Sequence, residues 1–206
     1  MQPEEIKQLA ISVIEKESAS VAHLADQIDD SLPAVVQMLL NCTGHVLVTG
    51  AGTSHAVGLR LAHLLSCSGT PSLFIHPGDS LHGLGGAVTE NDVLIALSKG
   101  GETAEINYLA ELAKNRRAKV IGFTEKPDST LGGLSDQILC VRADPNVDPY
   151  GMIATGSSLT NSAMGDVLCV VLLKMRGYSQ EQFGETHPGG AVGKKLKSIK
   201  EQENRN

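Results

Sequence analysis

A short polar loop in the middle of the chain carries groups that could bind an anion. It runs from Ser98 to Glu105 directly after the apolar segment 93–97, a pattern that predicts a strand, a tight turn and the start of a helix. Its two glycines allow a sharp turn, and the hydroxyls of Ser98 and Thr103 accompany the unpaired N–H groups of the helix start. A phosphate suits this loop, in which Lys99 is the only cation. The same residues also fit an ordinary strand-to-helix turn with Thr103 as the N-cap.

Two further helix starts carry small polar residues. The apolar segment 45–49 leads into Gly50–Ser54 and then into a helical pattern, which makes this turn a second candidate anion loop. It does not fit the dinucleotide fingerprint G-x-G-x-x-G, because the third glycine is missing from its place. The third start, Gly156–Ser158, opens a long apolar helix. That helix is expected to pack in the core, so only its first turn is a candidate for ligand contact.

Strands and helical segments alternate along most of the remaining chain. This rhythm predicts right-handed β-α-β crossovers and therefore an α/β domain, with one parallel sheet covered by helices on both faces. The strands are expected at 45–49, 72–75, 93–97, 119–123 and 137–141. Because parallel strands end at the same edge, the polar loops are expected to share the carboxyl edge, where open α/β sheets bind ligands. The segment Asp144–Gly156 is expected to be an extended loop that could fold over that site.

The first 43 residues are predicted to form two helices before the first strand, with a break near 29–33. Such helices either cover a face of the sheet or contact a second subunit, and both roles remain open. The domain is expected to span residues 44–196. Residues 197–206 are polar and are expected to form a solvated tail. A chain of 206 residues leaves room for one such domain.

Amino-acid composition limits the classes of molecule that the protein is expected to bind. The net charge is −6 and aromatic residues make up 3%, which argues against a nucleic-acid or membrane surface and favours small molecules. The four cysteines lack C-x-x-C spacing, and Cys140 and Cys169 lie in apolar runs, so buried free thiols in a reducing compartment are expected. The N-terminus is acidic where a signal peptide needs positive charge, and no stretch approaches the roughly 20 apolar residues of a membrane span. A cytoplasmic location is therefore expected.

The loop His76–Gly83 is rich in functional groups. His76, Asp79 and His82 could be metal ligands, but three ligands on one flexible loop do not make a convincing site. Turn formation by Pro77 and Asp79 is the preferred explanation, and neither a metal nor a cofactor is expected. A nucleophilic hydrolase is not favoured either, because the chain has no G-x-S-x-G motif.

Four sequence blocks together resemble a sugar isomerase (SIS) domain, and within that family the arabinose 5-phosphate isomerase branch. The resemblance extends from about residue 44 to residue 196. The matching blocks, in order, are Gly50–Ser54, His76–Gly78 with His82–Gly83, Ser98–Glu105, and His187–Gly190. The resemblance implies a flavodoxin-like, three-layer αβα domain with a five-stranded parallel sheet. It also implies a homo-oligomer, dimeric or tetrameric, in which subunits share active sites.

The resemblance further implies interconversion of D-arabinose 5-phosphate and D-ribulose 5-phosphate through an enediolate. It assigns active-site roles to Glu105, His82 and His187. Glu105 is interpreted as the base that removes the carbon-bound proton, because it follows the phosphate loop on the same helix. The alternative is an exposed carboxylate that complements the helix dipole. The predicted substrate and phosphate contacts are Gly52, Thr53, Ser54, Ser98, Lys99, Gly101, Thr103 and Ser157.

The chain departs from that branch at two positions. Thr53 stands where lysine is usual, and Gly100 where serine is usual. We hypothesise that Lys99 supplies the positive charge that is missing at position 53. The alternatives are an isomerase of another phosphosugar and a sugar-phosphate sensor, although sensors of this family usually carry a DNA-binding module for which the chain has no room. The longer members continue into paired CBS modules, and no regulation through such modules is expected here.

Overall fold

A five-stranded sheet is the framework of the protein, and the computed structural model describes residues 1–203. The strands are β1 (Val46–Gly50), β2 (Ser72–Phe74), β3 (Val93–Leu97), β4 (Lys119–Thr124) and β5 (Gln137–Cys140). All are parallel and lie in the order β2-β1-β3-β4-β5. The predicted α/β architecture is confirmed, and every strand begins and ends within one residue of its expected position.

Helices cover both faces of this sheet. The α-helices of the described chain are α1 (Pro3–Ala22), α2 (Ser31–Leu40), α3 (Thr53–Cys67), α4 (Pro77–Ser80), α5 (Ala104–Asn115), α6 (Thr130–Leu134), α7 (Gly156–Arg176), α8 (Gln180–Thr186) and α9 (Gly190–Glu203). Helices α2, α3 and α7 contribute to the apolar core on one face. Helices α5 and α6 contribute to the core on the other face. The result is the predicted three-layer arrangement.

The strands are apolar on both sides because both sides are covered. Successive strand residues point to opposite faces, so Val48, Ile95 and Phe123 pack in the core beneath α2, α3 and α7. Leu94 and Val120 belong to the core beneath α5 and α6. All residues of β1 and β3 are buried. These two central strands therefore provide a rigid support for the loops that follow them.

Helix α7 has 21 residues and is, within the described part of the chain, the one helix long and apolar enough to span a membrane by length and composition. By these two criteria the expectation that no stretch approaches the length of a membrane span is wrong. Its residues Met164, Leu168 and Leu172 are buried in the core. The packing role predicted for this helix is confirmed.

The two N-terminal helices pack differently. Helix α2 buries Val35 and Leu39 against the sheet. The C-terminal end of α1 is tied to the domain, because Ser20 Oγ accepts a hydrogen bond of 2.9 Å from the backbone N–H of Asp144. The exposed apolar residues of α1 are Ile6, Leu9, Ile11, Val13 and Ile14. Helix α2 thus covers a sheet face, whereas α1 presents an apolar face to the outside.

The C-terminal segment is helical rather than irregular. Helix α9 extends to Glu203, so residues 197–203 of the predicted polar tail continue a helix. Lysine, glutamate and glutamine have high helix propensity, which explains a helix in a polar sequence. The last three residues of the predicted tail lie outside the described residues.

The four cysteines differ in their burial. Cys169 is buried, whereas Cys42, Cys67 and Cys140 are partly exposed, so the expectation of buried thiols is confirmed for Cys169 and wrong for the other three. Cys140 lies on β5 at the edge of the sheet, where cover is incomplete. Burial raises the pKa of the Cys169 thiol to about 12, which keeps it protonated at neutral pH.

We expect Cys169 to be alkylated last of the four thiols in the native protein. The thiolate is the reactive species, and both its burial and its high pKa deplete it at Cys169. Timed reaction with iodoacetamide at about pH 8 followed by peptide mass spectrometry measures the order, with the denatured protein as the control for equal intrinsic reactivity. Modification of Cys169 as fast as that of Cys67 would contradict the expectation.

Candidate active site

The strand order brings two of the candidate loops to one crevice. From β1 the chain crosses to β2 on one side and then returns to β3 on the other, so the direction of connection reverses between β1 and β3. Gly50 and Leu97, the last residues of these strands, are register partners. The first loop (residues 50–54) and the central loop (residues 98–103) therefore leave the sheet side by side. Ligands of open α/β sheets bind at such a reversal.

The central loop curls so that two hydroxyls five residues apart meet. Ser98 Oγ lies 3.1 Å from Thr103 Oγ1, and Ser98 is buried while Thr103 is partly exposed. The backbone N–H of Gly101 donates to Ser98 Oγ at 3.2 Å and to its carbonyl oxygen at 3.1 Å. Thr103 occupies the N-cap position of α5, yet its side chain makes no capping hydrogen bond. This favours the anion cradle over the simple N-cap alternative, because the helix start keeps N–H groups without a side-chain acceptor.

Hydrogen bonds from three other elements hold the backbone of this loop. The carbonyl of Lys99 accepts from Thr124 Oγ1 at 3.1 Å, at the end of β4. The carbonyl of Gly101 accepts from Asn107 Nδ2 at 3.1 Å and from the N–H of Leu131 at 3.0 Å. Asn107 is buried, and its Oδ1 has no partner in the described structure. The sequence does not predict Thr124 and Asn107 as supporting residues, since each lies outside the loop itself.

Two carboxylates flank the start of α5 and differ in their bonding. Glu102 accepts from the N–H of Thr130 at 2.9 Å and from its hydroxyl at 2.7 Å, which ties the loop to α6. These hydrogen bonds lower the pKa of Glu102. Glu105 lies in the first turn of α5, is exposed, and makes no hydrogen bond or ion pair with the described residues. Of the two, only Glu105 is free to act on a ligand.

The first loop depends on a glycine and leaves two hydroxyls free. Gly52 has φ 59° and ψ −129°, a conformation that L-residues rarely adopt. Thr53 is exposed and Ser54 partly buried, and neither side chain has a hydrogen-bond partner among residues 1–203. They begin helix α3, so the hydroxyls and the helix N-terminus meet at the rim of the crevice. These positions are compatible with the predicted phosphate contacts.

Lys99 and Ser157 are both held by a carboxylate that the sequence does not single out. Lys99 Nζ donates to Asp148 Oδ2 at 2.8 Å. Ser157 donates to the same carboxylate twice, from its hydroxyl at 2.6 Å and from its N–H at 3.1 Å. Asp148 lies in the segment 141–155 between β5 and α7, and that segment therefore anchors on the central loop. No local pattern relates Asp148 to Lys99, which is 49 positions away.

His82 lies on the same side of the sheet as α5. It follows α4, and α4 packs against α5. The His82 side chain is exposed and has no hydrogen bond or ion pair to a described residue. His76, another candidate on this loop, accepts from the N–H of Asp79 at 3.3 Å through Nδ1 and so caps α4, which begins at Pro77. Among the described residues no three His, Cys, Asp or Glu side chains form a group that could hold a metal ion.

His187 is engaged within the C-terminal segment. Its Nδ1 lies 2.9 Å from the carbonyl oxygen of Phe183 and 3.0 Å from Thr186 Oγ1, and its ring stacks on that of Phe183 at 3.9 Å. It also lines a cleft of about 550 Å³ between α8 and α9, with Leu196 and Ile199. None of these contacts involves the central loop. The structure thus gathers the loop residues around one crevice, but His187 belongs to a separate arm formed by α8 and α9.

A comparison with known protein families agrees with this geometry. The SIS domain model matches residues 39–171, which is more than half of the chain.

The chain belongs to the SIS domain family.

This SIS domain is similar to longer curated proteins. It is 38% identical over 192 residues to arabinose 5-phosphate isomerase KdsD of Salmonella typhi. The alignment covers 93% of this chain and 58% of the relative, so the chain spans about three fifths of the length of the curated relatives that it matches. The resemblance inferred from the four sequence blocks is confirmed.

Two solved structures resemble the SIS domain closely. A candidate sugar-phosphate isomerase of Listeria monocytogenes is 32% identical with a TM-score of 0.88, and the match covers 92% of this chain and 100% of that one. An Escherichia coli CFT073 protein in complex with arabinose 5-phosphate is 28% identical with a TM-score of 0.87, covering 91% of this chain and 100% of that one. Both contain the same three-layer domain.

Asp148 gives the SIS domain a defined response to acid. Burial acts to raise the pKa of Asp148, but hydrogen bonds from Lys99 and Ser157 outweigh it, and the pKa lies below its ordinary value. Such a carboxylate stabilises the fold above its unfolded pKa, about 3.9, and loses this contribution as the pH falls through the lower, folded-state pKa. We expect the free energy of unfolding to fall more steeply below about pH 4 in the native protein than in Asp148→Asn. Urea unfolding at a series of pH values measures both slopes, and equal slopes would contradict the assignment.

Proposed function

We propose that the chain is an aldose-ketose isomerase that interconverts D-arabinose 5-phosphate and D-ribulose 5-phosphate. The observation that carries this proposal is the pairing of an anion cradle with a free carboxylate on one helix, namely the hydroxyl pair of Ser98 and Thr103 followed by Glu105. The choice of substrate is supported by the similarity to the KdsD proteins and to the E. coli protein in complex with arabinose 5-phosphate. The cysteine content supports a cytoplasmic location.

The phosphate is the anchor in this proposal. Its oxygens accept hydrogen bonds from Ser98, Thr103 and the N–H groups at the start of α5, with Ser54 contributing from the first loop. The helix dipole adds a favourable field for the dianion. Fixing the phosphate at the reversal point places the carbon chain of the sugar over the crevice. The binding energy is thereby used to orient the reacting carbons.

Proton transfer is the chemistry. Glu105 removes the proton from the carbon beside the carbonyl, which creates an enediolate, and returns a proton to the neighbouring carbon. Because Glu105 and the phosphate cradle share one rigid helix, the distance between base and anchor is set by the fold. The histidines supply hydrogen bonds or protons at the two substrate oxygens, with His82 on the side of α5. No step needs an external cofactor.

His187 enters the site, in this proposal, through assembly of a homo-oligomer with shared active sites, such as a homotetramer. Two observations support it. The contacts of His187 are all within its own arm, and α1 exposes an apolar face of a kind that subunit contacts cover. Light scattering of the purified protein tests the assembly, and a monomer at the concentration of full activity would contradict it.

Incubation with a panel of aldose and ketose phosphates tests the function. We expect conversion of D-arabinose 5-phosphate to D-ribulose 5-phosphate and the reverse, followed by NMR, without added nucleotide and in the presence of a chelator. Turnover of another phosphosugar alone would contradict the substrate assignment and retain the isomerase. Binding of several phosphosugars without turnover of any would identify a sensor instead.

Removing either cradle hydroxyl tests the phosphate anchor. We expect Ser98→Ala and Thr103→Ala each to raise KM about fivefold or more, because a hydrogen bond to a charged oxygen contributes on the order of 1 kcal/mol or more. Steady-state kinetics gives KM and kcat separately. Ser68→Ala is the matched control, since Ser68 is a buried serine with a hydrogen bond to the Leu65 carbonyl, far from the crevice. Native KM values in both cradle variants would exclude this binding mode.

A different phosphosugar is the second candidate substrate, and two positions favour it. Thr53 and Gly100 replace residues usual in the arabinose 5-phosphate isomerase branch. Thr53 is exposed at the rim of the crevice, and a side chain added at Gly100 would meet no atom within 4 Å. Both positions thus face space that a substrate can reach. The panel of phosphosugars separates the two candidates directly.

A further inference from the structure

A buried carboxylate lies behind the central loop and has a charged partner at the crevice. The Asp148 side chain is 3% exposed, whereas that of its ion-pair partner Lys99 is 39% exposed. Ser157 supplies the two remaining hydrogen bonds to the carboxylate. A charge is rarely buried without such complete pairing, because desolvation is costly. The carboxylate is thus committed to the protein interior, while the ammonium extends toward solvent.

The segment around Asp148 is held in place independently of Lys99. Val147 is buried and packs on Gly156 at the start of α7, where a Cβ on Gly156 would collide with the Val147 side chain. The backbone N–H of Ser157 donates to Asp148 Oδ1, so the carboxylate also occupies the N-terminus of α7. Asp148 is therefore a rigid point to which a flexible side chain can be fixed.

Lys99 has a fixed backbone and a side chain whose direction depends on one contact. Its carbonyl is held by Thr124 and by the N–H of Glu125 at 3.0 Å. Its ammonium has three N–H donors on a flexible four-carbon stem, and Asp148 is its only partner in the described chain. Two donors remain for a ligand. Without Asp148 the ammonium would have to be immobilised by the ligand itself.

We propose that Asp148 is a positioning residue, which holds the Lys99 ammonium on the loop that carries the Ser98 and Thr103 hydroxyls so that phosphate meets a preoriented cation. This inference rests on the proposed function only in taking the natural ligand to be a phosphosugar. Lys99 then bridges Asp148 and the phosphate with different N–H groups. The arabinose 5-phosphate isomerase branch usually has a lysine at position 53 in the first loop. In this chain the positive charge comes instead from Lys99 in the central loop, and Asp148, on the segment before α7, holds it in place.

The direction in which phosphate affinity changes on loss of Asp148 distinguishes a positioning role from simple competition between Asp148 and phosphate for Lys99. If Asp148 only competed with phosphate for Lys99, removing its charge would tighten phosphate binding. As a positioning residue, its loss requires the ligand to immobilise the lysine, which weakens binding by about three- to tenfold. The variant Asp148→Asn keeps the size of the side chain and an oxygen that can accept from Ser157.

Titration calorimetry with inorganic phosphate, on the full chain, is the test. We expect Asp148→Asn to raise the Kd about three- to tenfold and to raise KM for the phosphosugar similarly, with kcat within about twofold of native. The matched control is Asp166→Asn, which removes the same charge from the exposed Arg60–Asp166 pair of equal length, 2.8 Å, and should leave the Kd unchanged. A Kd that is unchanged or lower in Asp148→Asn, or raised equally in Asp166→Asn, would overturn the proposal.

A double variant shows whether Asp148 acts through Lys99. Lys99→Met alone leaves a buried unpaired carboxylate that threatens folding, and Lys99→Met with Asp148→Asn restores neutrality. We expect the double variant to bind phosphate as weakly as Lys99→Met and no weaker. Where Lys99→Met does not fold, the Kd of the double variant is compared with the Kd expected for loss of the cation alone. Additive losses would overturn the proposal. Turnover of the phosphosugar by the native protein is measured separately. If the native protein shows no turnover but the variants show the predicted order of phosphate affinities, the proposed function is refuted and the positioning role is kept.

Discussion

Replacing Glu105 with glutamine is expected to lower kcat by at least about 100-fold, the low end of what general-base catalysis contributes, while KM changes little. Glutamine preserves the shape of the side chain and removes its basicity. Since Glu105 has no partner among the described residues, the substitution disturbs no hydrogen bond of the folded protein. A loss of rate therefore reports on chemistry rather than on folding.

The neighbouring carboxylate provides a matched control for this experiment. Glu102 is three residues before Glu105, at the end of the central loop, but its oxygens are occupied by Thr130. We expect Glu102→Gln to keep kcat within a few-fold of native and to affect mainly the stability of the contact with α6. Incorporation of solvent deuterium at C1 or C2 of the sugar, measured by NMR, follows the proton transfer directly. Near-native exchange in Glu105→Gln would place the base elsewhere, with His187 next, and would leave Glu105 as a carboxylate that complements the helix dipole.

Substituting Gly101 with alanine is expected to destabilise the protein by about 2 to 5 kcal/mol. Gly101 has φ 70°, and its left-handed conformation costs an L-residue about 1–2 kcal/mol. A Cβ there would also overlap the Ser129 side chain, and such overpacking costs about 1–3 kcal/mol. Ser129 cannot simply move away, because its hydroxyl accepts from the N–H of Gly132 and caps α6. For a chain of this size the melting temperature should fall by about 5 to 15 °C.

The adjacent glycine separates this effect from a general intolerance of the loop. Gly100 has an ordinary φ, and a Cβ there meets no atom within 4 Å, so Gly100→Ala should shift the melting temperature by no more than about 2 °C. Calorimetry of both variants is the measurement. Adding Ser129→Gly to Gly101→Ala should restore part of the loss, since it relieves the overlap and leaves the backbone strain. Equal melting temperatures for the two alanine variants would show that the loop adapts without cost.

The same comparison bears on ligand binding. Gly101 donates its N–H to Ser98, so a shifted backbone at residue 101 separates the groups that form the cradle. We therefore expect Gly101→Ala to weaken phosphate binding in addition to stability, whereas Gly100→Ala should affect neither strongly. The central loop thus needs its second glycine for its shape, whereas its first glycine is exposed and has open space around it.

Much of the architecture follows from local sequence patterns. Continuous apolar runs such as Val93–Leu97 predict buried parallel strands, and glycine with hydroxyl residues after them predicts the turns and helix starts. These signals depend on residues close together in the chain, which is why the strand positions agree with the structure. The central loop is likewise recognisable as the main candidate site, because Ser98, Gly101 and Thr103 lie within six residues of one another.

What the sequence could not determine are the contacts between distant segments. The ion pair of Lys99 with Asp148 joins residues 49 positions apart, and the support of Gly101 by Leu131 crosses from one β-α connection to another. These depend on the strand order, which places β4 beside β3 and β5 beside β4, and on the packing of the segment before α7. The position of His187 in a separate arm likewise depends on tertiary packing rather than on a local sequence pattern. Local periodicity sets which elements form, whereas the burial of apolar faces in three dimensions decides which polar groups meet at the end of the sheet.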